Sequence, residues 1–416
     1  MNLKISAHIP IALLAIHSLT LNAQSVSELQ NSYSGTTDWN SATGTLTFTS
    51  SGTVTFIGKA EPAKTHFWEV PTEVKTIVIE ENDTVTCAFH TSSTITIKGE
   101  NRKTSVVYGT DMRSWAQNNN VKAYKHCQFQ NFGGTMTITN LTSLNPFGFH
   151  VRGWGKLMMV SDCDFLDTRG GAGNHSDGIE GGNGSVIDNC YFETGDDIFK
   201  IYFDNTITNC TVNMVQNAVP IQLGWGNYSN GAVGTIKNLT IIGNSGRGNK
   251  QSFPIICGRR GIYDVTLHMD SCHIVNPKAH LVMLWDDNDD GVYEKSVGGT
   301  ITNSYIDVKG YTNYHLGTSN FEICGTTERK GKYDCWNTTN MLNATLIKEL
   351  KIYPNPVKNK LIVESNQAIS IYNAQGKHLS VPVTVNNNQH IINTANLTNG
   401  IYFIKTGKKV HPFMKM

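Results

Sequence analysis

From about residue 135 to residue 307 the chain restates one short phrase seven times, and this repeat constrains the fold more than any other feature. The phrase alternates β-branched or apolar residues, reaches a polar residue, and continues with a small or apolar one. It reads TITNLTSL (137–144), MVSDCDFL (159–166), VIDNCYFE (186–193), TITNCTVN (206–213), TIKNLTII (235–242), MDSCHIV (269–275) and TITNSYID (301–308). The polar residues are Asn140, Asp162, Asn189, Asn209, Asn238, Ser271 and Asn303, separated by 22, 27, 20, 29, 33 and 32 residues. A coil of about 20 residues with loops of differing length gives such spacing in a solenoid. Alternate side chains of each strand then enter a shared core, and like residues of successive coils stack into ladders. The residues that follow the polar position (Leu141, Cys163, Cys190, Cys210, Leu239, Cys272 and Ser304) form an interior ladder in which cysteine serves as a small hydrophobe. The polar residues themselves form a hydrogen-bonded ladder at a turn. A β-sandwich also has regularly spaced short strands, but ladders of Cys and Asn at one position favour an all-β, right-handed, single-stranded parallel β-helix.

The 416 residues suffice for one elongated core and an additional module. Helix-forming runs are scarce, while Gly, Asn, Thr and Ser abound, as a turn-rich β chain requires. A formal charge of +1, with only 16% charged residues, excludes a nucleic-acid binder that works by bulk charge. Residues 1–23 have the layout of a signal peptide: Lys4, an apolar run from Ile9 to Leu21 too short to span a bilayer, then Leu21-Asn22-Ala23 before Gln24. No later segment is long and apolar enough to cross a membrane, so the expectation is a secreted or cell-surface chain without a membrane span, acting as a monomer. Of the nine cysteines, Cys324 and Cys335 lie close together in a loop-rich stretch and are the best candidates for a bridge. No CxxC pair or Cys/His zinc spacing occurs, so neither a structural metal nor another cofactor is expected. Residues 24–74 are expected as an N-terminal β cap and 75–340 as the β-helix, with DMRSWAQNNN (111–120) a short helix or loop.

Near residue 345 the texture changes. ELKIYPNPVKNKLIVES (349–365), ISIYNAQGKHL (369–379) and LTNGIYFIKTGKK (397–409) read as short strands joined by Asn-Gly and Gln-Gly turns, enough for a small β-sandwich over 345–416. The set YPNP (353–356), IYNAQGK (371–377) and NGIYFIK (399–405) closely resembles the C-terminal sorting domain of the Bacteroidetes type IX secretion system. That resemblance implies export through the periplasm and outer membrane, with the secretion machinery as a partner.

The chemically loaded stretch runs from 175 to 226. Asp196 and Asp197 precede the alternating strand IFKIYF, and Asp177 lies 19 residues earlier, about one coil, just before Gly-Ile-Glu. One coil of separation places side chains on adjacent rungs about 4.8 Å apart. Three carboxylates thus converge on one outer face. Like charges raise one another's pKa, so a scaffold that gathers three of them points to use of a proton. Glycoside cleavage needs a protonated acid for the leaving oxygen and an ionised base for water. The plainer alternative is a calcium site or a solvated loop with Asp-Gly turns. Lys200 should share a face with Glu180 and form a cross-coil ion pair or a sugar contact. Gln222, Trp225 and Asn227 follow on the next coil, where an exposed indole beside amides suits a sugar ring. His175, Arg247, Arg259 and Arg260 are rim candidates, although each taken singly is more often plain surface.

DGIE (177–180), DDIFKIY (196–202) and NAVPIQLGW (217–225), in that register, resemble glycoside hydrolase family 49, the dextranases and isopullulanases. TIVIEENDTVTCAFH (76–90) and ITIKGENR (95–102) also look like the start of that family's β-helix. The resemblance covers about 75–310 and implies Asp196 as general acid, Asp177 and Asp197 as the base pair holding water, and inversion at the anomeric carbon. Two departures bear on the substrate. The family's large N-terminal β-sandwich has little room here, and the later coils, which shape subsites, differ from typical dextranases. Expected is a secreted, endo-acting, inverting hydrolase of a polysaccharide. The alternatives are a hydrolase of sulfated algal galactan resembling the iota-carrageenases, in which the basic residues would read sulfate, a pectin-type lyase, and a non-catalytic carbohydrate-binding solenoid.

Overall fold

Each repeated phrase becomes a short strand, a one-residue corner and a second strand, because its polar residue adopts a backbone conformation that breaks the strand. Asn140, Asp162, Asn189, Asn209, Asn238, Ser271 and Asn303 all lie in the left-handed region, with φ between 49 and 56°. Asn and Asp tolerate that region better than most residues because their short side chains bond locally. Here they also bond from coil to coil: Asn189 Nδ2 donates to Asp162 Oδ1 at 2.7 Å, and Asn238 Nδ2 to Asn209 Oδ1 at 3.0 Å. The residue after each corner turns inward, so Leu141, Cys163, Cys190, Cys210, Leu239, Cys272 and Ser304 are all buried.

In the computed structural model, the described residues are 23–337 and 351–416, apart from 60, 171–173, 216–218, 224–229, 244–253, 260–263, 286–295, 316–317, 325, 329–330, 334–335, 366–367, 374–376, 387–388 and 407–408. The chain divides into two compact units, Met1–Thr339 and Asn340–Met416. In the first, parallel strands stack into three faces. Face A runs from Thr45–Phe48 through Ser185–Asp188 and Asn205–Thr208 to Thr318–Cys324. Face B includes Thr142–Leu144, Asp164–Leu166, Tyr191–Glu193 and Thr211–Met214. Face C includes Ala88–Thr91, Phe129–Asn131, Val151–Arg152, Ile179–Glu180, Phe199–Lys200 and Ile221–Leu223. Faces B and C merge in the long strand His273–Trp285. This is a parallel β-helix, all-β as the repeat requires.

The interior is a column of stacked side chains. Phe165 and Phe192 lie parallel, 5.0 Å apart at 14°, and Phe192 meets Phe199 edge-on at 4.8 Å. The described cysteines 87, 127, 163, 190, 210, 257 and 272 are buried. The expected Cys324–Cys335 bridge lies outside the described residues, as does most of the expected signal segment. Parallel coil pairing begins at Thr45 with Thr76, inside the stretch expected as a cap. What precedes it closes the end: a hairpin of Thr37–Asn40 with Thr45–Phe48, and a helix Val26–Ser32 whose Ser25 and Glu28 form a capping box. Trp115–Asn118 is a short helix. Among the described residues, no helix is long and apolar enough to cross a membrane.

The second unit carries two four-stranded antiparallel sheets around Val357, Leu361, Val363, Ile371, Ile392, Tyr402, Ile404 and Phe413. This is the small β module that the C-terminal texture indicates.

Candidate active site

On face C, Val151, Ile179, Phe199 and Ile221 point into the core. Alternation sends their neighbours Arg152, Glu180, Lys200 and Gln222 to the outer side, each in register with the next. Just ahead of these strands, Asp177 and the pair Asp196-Asp197 occupy adjacent coils, tied by Gly178 N donating to the Asp197 carbonyl at 2.8 Å. The coils approach so closely there that a Cβ on Gly178 would lie 2.6 Å from the Ile198 carbonyl oxygen. Only glycine fits.

Lys200 organises the floor of the site. Its Nζ is 2.6 Å from Asp177 Oδ2 and 3.8 Å from Asp197 Oδ2, and it donates to Gln222 Oε1 at 2.7 Å. Gln222 Oε1 also accepts from the Tyr202 hydroxyl, while its Nε2 donates to Asp197 Oδ2. The Phe149 ring lies 4.9 Å from the ammonium. Asp177 and Lys200 are each only 4% exposed, and Asp177 Oδ1 has no hydrogen-bond partner. Asp196 has a different neighbour: its Oδ2 lies 3.2 Å from His175 Nδ1, and its Oδ1 accepts from Asp197 N at 3.1 Å.

The electrostatics follow. Burial pushes the Asp177 carboxyl up to about 6, with Lys200 pulling the other way and Asp196 adding to the rise. Burial works against the charge on Lys200, yet Asp177 and Asp197 hold it above the usual lysine range. The hydrogen bond to Asp196 raises His175 above the ordinary histidine value. His175 itself has a left-handed φ of 53°. It follows Asn174, which accepts from Ser114 N at 3.1 Å and donates to Asp167 at 2.5 Å, while Asp167 is paired with Arg169 at 2.8 Å. That network anchors Asn174 beside His175.

Asp177, Asp196, Asp197, His175, Glu180, Lys200 and Gln222 therefore come together, as the spacing predicts. The expected Glu180–Lys200 ion pair does not form. Glu180 instead pairs with Arg152 at 2.9 Å and Lys200 with Asp177, because each long side chain reaches the neighbour that most needs a counter-charge. Glu180, Lys200 and Gln222 lie buried beneath the carboxylates rather than on an open surface. Trp225, Asn227, Arg247 and Arg260 fall outside the described residues. Arg259 ends the strand Pro254–Arg259, and its side chain is likewise outside the description. Sequence reasoning missed Arg152, Phe149 and Asn174, which lie between the repeated phrases and outside the motifs quoted above. Tyr202 was readable, since it continues the outward alternation of Lys200. His175, Asp177 and Asp196 each offer an atom within 4.8 Å of the other two, a spacing that could hold a divalent cation. The ammonium against Asp177 opposes one.

No curated protein matches the chain. Among solved structures it is similar to Dex49A from Penicillium minioluteum, at 14% identity and a TM-score of 0.42 over 64% of this chain and 50% of that one. This chain thus spans about half the length of that structure. It is also similar to the tailspike protein gp49 of Acinetobacter baumannii bacteriophage Fri1, a capsular polysaccharide depolymerase (12% identity, TM-score 0.33, 85% and 78% covered). A third is a tailspike protein of E. coli bacteriophage HK620 in complex with a pentasaccharide (10% identity, TM-score 0.37, 90% and 86% covered). Residues 351–415 match the family described as the secretion system C-terminal sorting domain. The C-terminal module is therefore a type IX sorting domain, and the chain is exported to the cell surface or the extracellular space.

Proposed function

We propose that the β-helix is a glycoside hydrolase acting on a polysaccharide, with Asp196 as general acid and Asp177 and Asp197 holding and deprotonating the attacking water. The observation that carries this reading is the division of three neighbouring carboxylates between two partners. Lys200 contacts Asp177 and Asp197, whereas Asp196 is bonded to His175. The shared ammonium opposes the burial that raises the Asp177 carboxyl to about 6 and so favours the ionised state that a base requires. In this reading Asp196 donates to the leaving oxygen, and the imidazole 3.2 Å away can return a proton to it. Lys200, Gln222 and Tyr202 are positioning residues: they hold Asp197 and Asp177 in place from below.

The motif resemblance to family 49 supports an endo-acting, inverting, dextranase-like enzyme. In this reading residues 1–23 are a signal peptide and the mature chain acts as a monomer without metal or other cofactor. Asp177 and Asp196 oxygens come within 4.8 Å, shorter than the ~6.5–9.5 Å usual between acid and base in inverting enzymes. The anomer of the first product, read by NMR, is therefore the sharpest test of inversion, and a retained configuration rejects these roles.

The function itself is tested by incubating the secreted protein with dextran, pullulan, carrageenans and arabinans and measuring reducing ends. Turnover of dextran or pullulan supports a glucan substrate, and turnover of carrageenan alone moves the substrate to sulfated galactans. Asp196→Asn should keep the fold and glycan affinity while losing turnover, and Asp177→Asn should do the same with some loss of stability, since Lys200 is left with Asp197 as its counter-charge. Glycan binding by the unmutated chain with no release of reducing ends would make it a binding solenoid.

A further inference from the structure

One coil toward the N-terminal end from Asp177, the outer side of face C carries an aromatic shelf that the proposed chemistry does not use. Trp154 lies two residues past Arg152, with a left-handed φ of 48°. Bulky residues rarely adopt that conformation, and where they do the surroundings enforce it. Its neighbour Gly153 leaves no room for a side chain, since a Cβ would sit 2.7 Å from the Lys156 carbonyl oxygen. The indole is fastened from beneath by two buried polar residues on successive rungs. The Arg152 guanidinium lies 3.7 Å from the Trp154 ring centroid. With the Gln130 amide turned to satisfy both its ends, its oxygen accepts from Trp154 Nε1 at 2.5 Å and its nitrogen donates to the Lys125 carbonyl at 3.2 Å.

Arg152 also secures Tyr124. Arg152 Nη1 donates to the Tyr124 carbonyl at 2.9 Å, and its guanidinium stands 4.9 Å from the Tyr124 ring. Tyr124 and Trp154 rings are 6.2 Å apart, and Tyr124 is 36% exposed while Trp154 is half-buried. Arg152 is bonded to Glu180, whose rung partner is Lys200 beneath the carboxylates. Two aromatic rings, one strained and both braced by buried polar groups, thus stand in line with the candidate catalytic rungs.

We infer that Tyr124 and Trp154 form a stacking subsite for a pyranose ring of the same polysaccharide, one coil N-terminal of the reacting linkage. This rests on the glycanase reading of the carboxylates and adds where the chain of sugars lies. A pyranose offers an apolar face of C–H groups to an aromatic ring and a rim of hydroxyls to polar neighbours. Rings held rigid in advance lose little freedom when the sugar docks. The direction along the axis also follows: the polymer runs parallel to the stack of coils, crossing from the Arg152 rung to the Asp177 and Asp196 rungs.

The test is electrophoresis of the full chain through native gels containing dextran, pullulan or carrageenan, with Trp154→Ala and Tyr124→Ala beside the unmutated protein. Each variant should bind the retarding polysaccharide about 3- to 10-fold more weakly. Thermal unfolding distinguishes lost folding from lost binding, and Tyr124→Ala at the exposed tip leaves the Trp154 brace intact should Trp154→Ala fail to fold. Retardation of Tyr124→Ala and any folded Trp154 variant equal to that of the unmutated chain overturns the subsite alone. A lack of retardation of the unmutated chain by every glycan overturns the subsite and the glycanase reading together.

Discussion

Lys200 carries more of the site than any carboxylate does. It is buried with Asp177 and Asp197 on one side and Gln222 on the other, so replacing it strands a carboxylate in a dry environment. Lys200→Met should destabilise the fold by ~3–5 kcal/mol, the range for breaking a buried ion pair. Adding Asp177→Asn should recover much of that loss, because the uncompensated charge is then gone; urea unfolding of the single and double variants measures both. The pH dependence has two opposite signs. As the proposed base Asp177 would have to be ionised, so turnover should rise with pH through about 6. Its folded value lies above the ~3.9 of an unfolded chain, so between these values the folded chain holds a proton that the unfolded chain has released. Stability from this group is therefore complete below the lower value and lost as pH climbs through the higher one. Thermal unfolding and rate measured over the same pH series should move in opposite directions. At this scale the sequence was legible where spacing decides position: Asp177 and Asp196, 19 residues apart, fall on adjacent rungs. It was not legible where reach decides partners. Register places Glu180 beside Lys200, yet both ion pairs run elsewhere, and Arg152 lies between two phrases with no acidic motif to flag it.

At the scale of the element, a single corner residue per coil sets the geometry. Asn189 holds φ at 49° and donates to Asp162 at 2.7 Å. Asn189→Ala loses the bond and strains the corner, at a cost of about 1–2 kcal/mol. Asn189→Gly forfeits the bond but relieves the backbone, so its loss should be smaller, and comparing the two midpoints separates conformation from bonding. Inside the corner, Phe192 is wholly buried between Phe165 and Phe199; Phe192→Ala should cost ~3–5 kcal/mol. The corner was legible because only a few side chains tolerate the left-handed region, so the backbone requirement is printed as Asn, Asp or Ser at a fixed place in the phrase. The first coil was not. Thr45–Phe48 pairs antiparallel with Thr37–Asn40 on one side and parallel with Thr76–Ile79 on the other, and an alternating strand reads the same in a hairpin as in a coil.

At the scale of the whole molecule, the chain has two units with separate cores. The β-helix core runs from Val26 to Phe321, and the sorting domain packs around its own set from Val357 to Phe413. In a solenoid each coil is stabilised chiefly by its immediate neighbours, and the contacts of Asp177, Lys200 and Asp196 described above are made within the β-helix. Deleting residues 351–416 should therefore leave the thermal midpoint of the β-helix and its turnover of the preferred glycan unchanged. The same deletion removes the segment that matches the secretion system sorting family, so the truncated chain should stop short of the cell surface. Fractionation of cells expressing the full and truncated chains, followed by immunodetection and a reducing-end assay on each fraction, measures both consequences. The expected outcome is active protein outside the cell for the full chain and equally active protein retained within the envelope for the truncated one. Retained protein that is inactive would mean that the β-helix depends on its C-terminal neighbour, and surface delivery of the truncated chain would mean that the address is written elsewhere in the sequence.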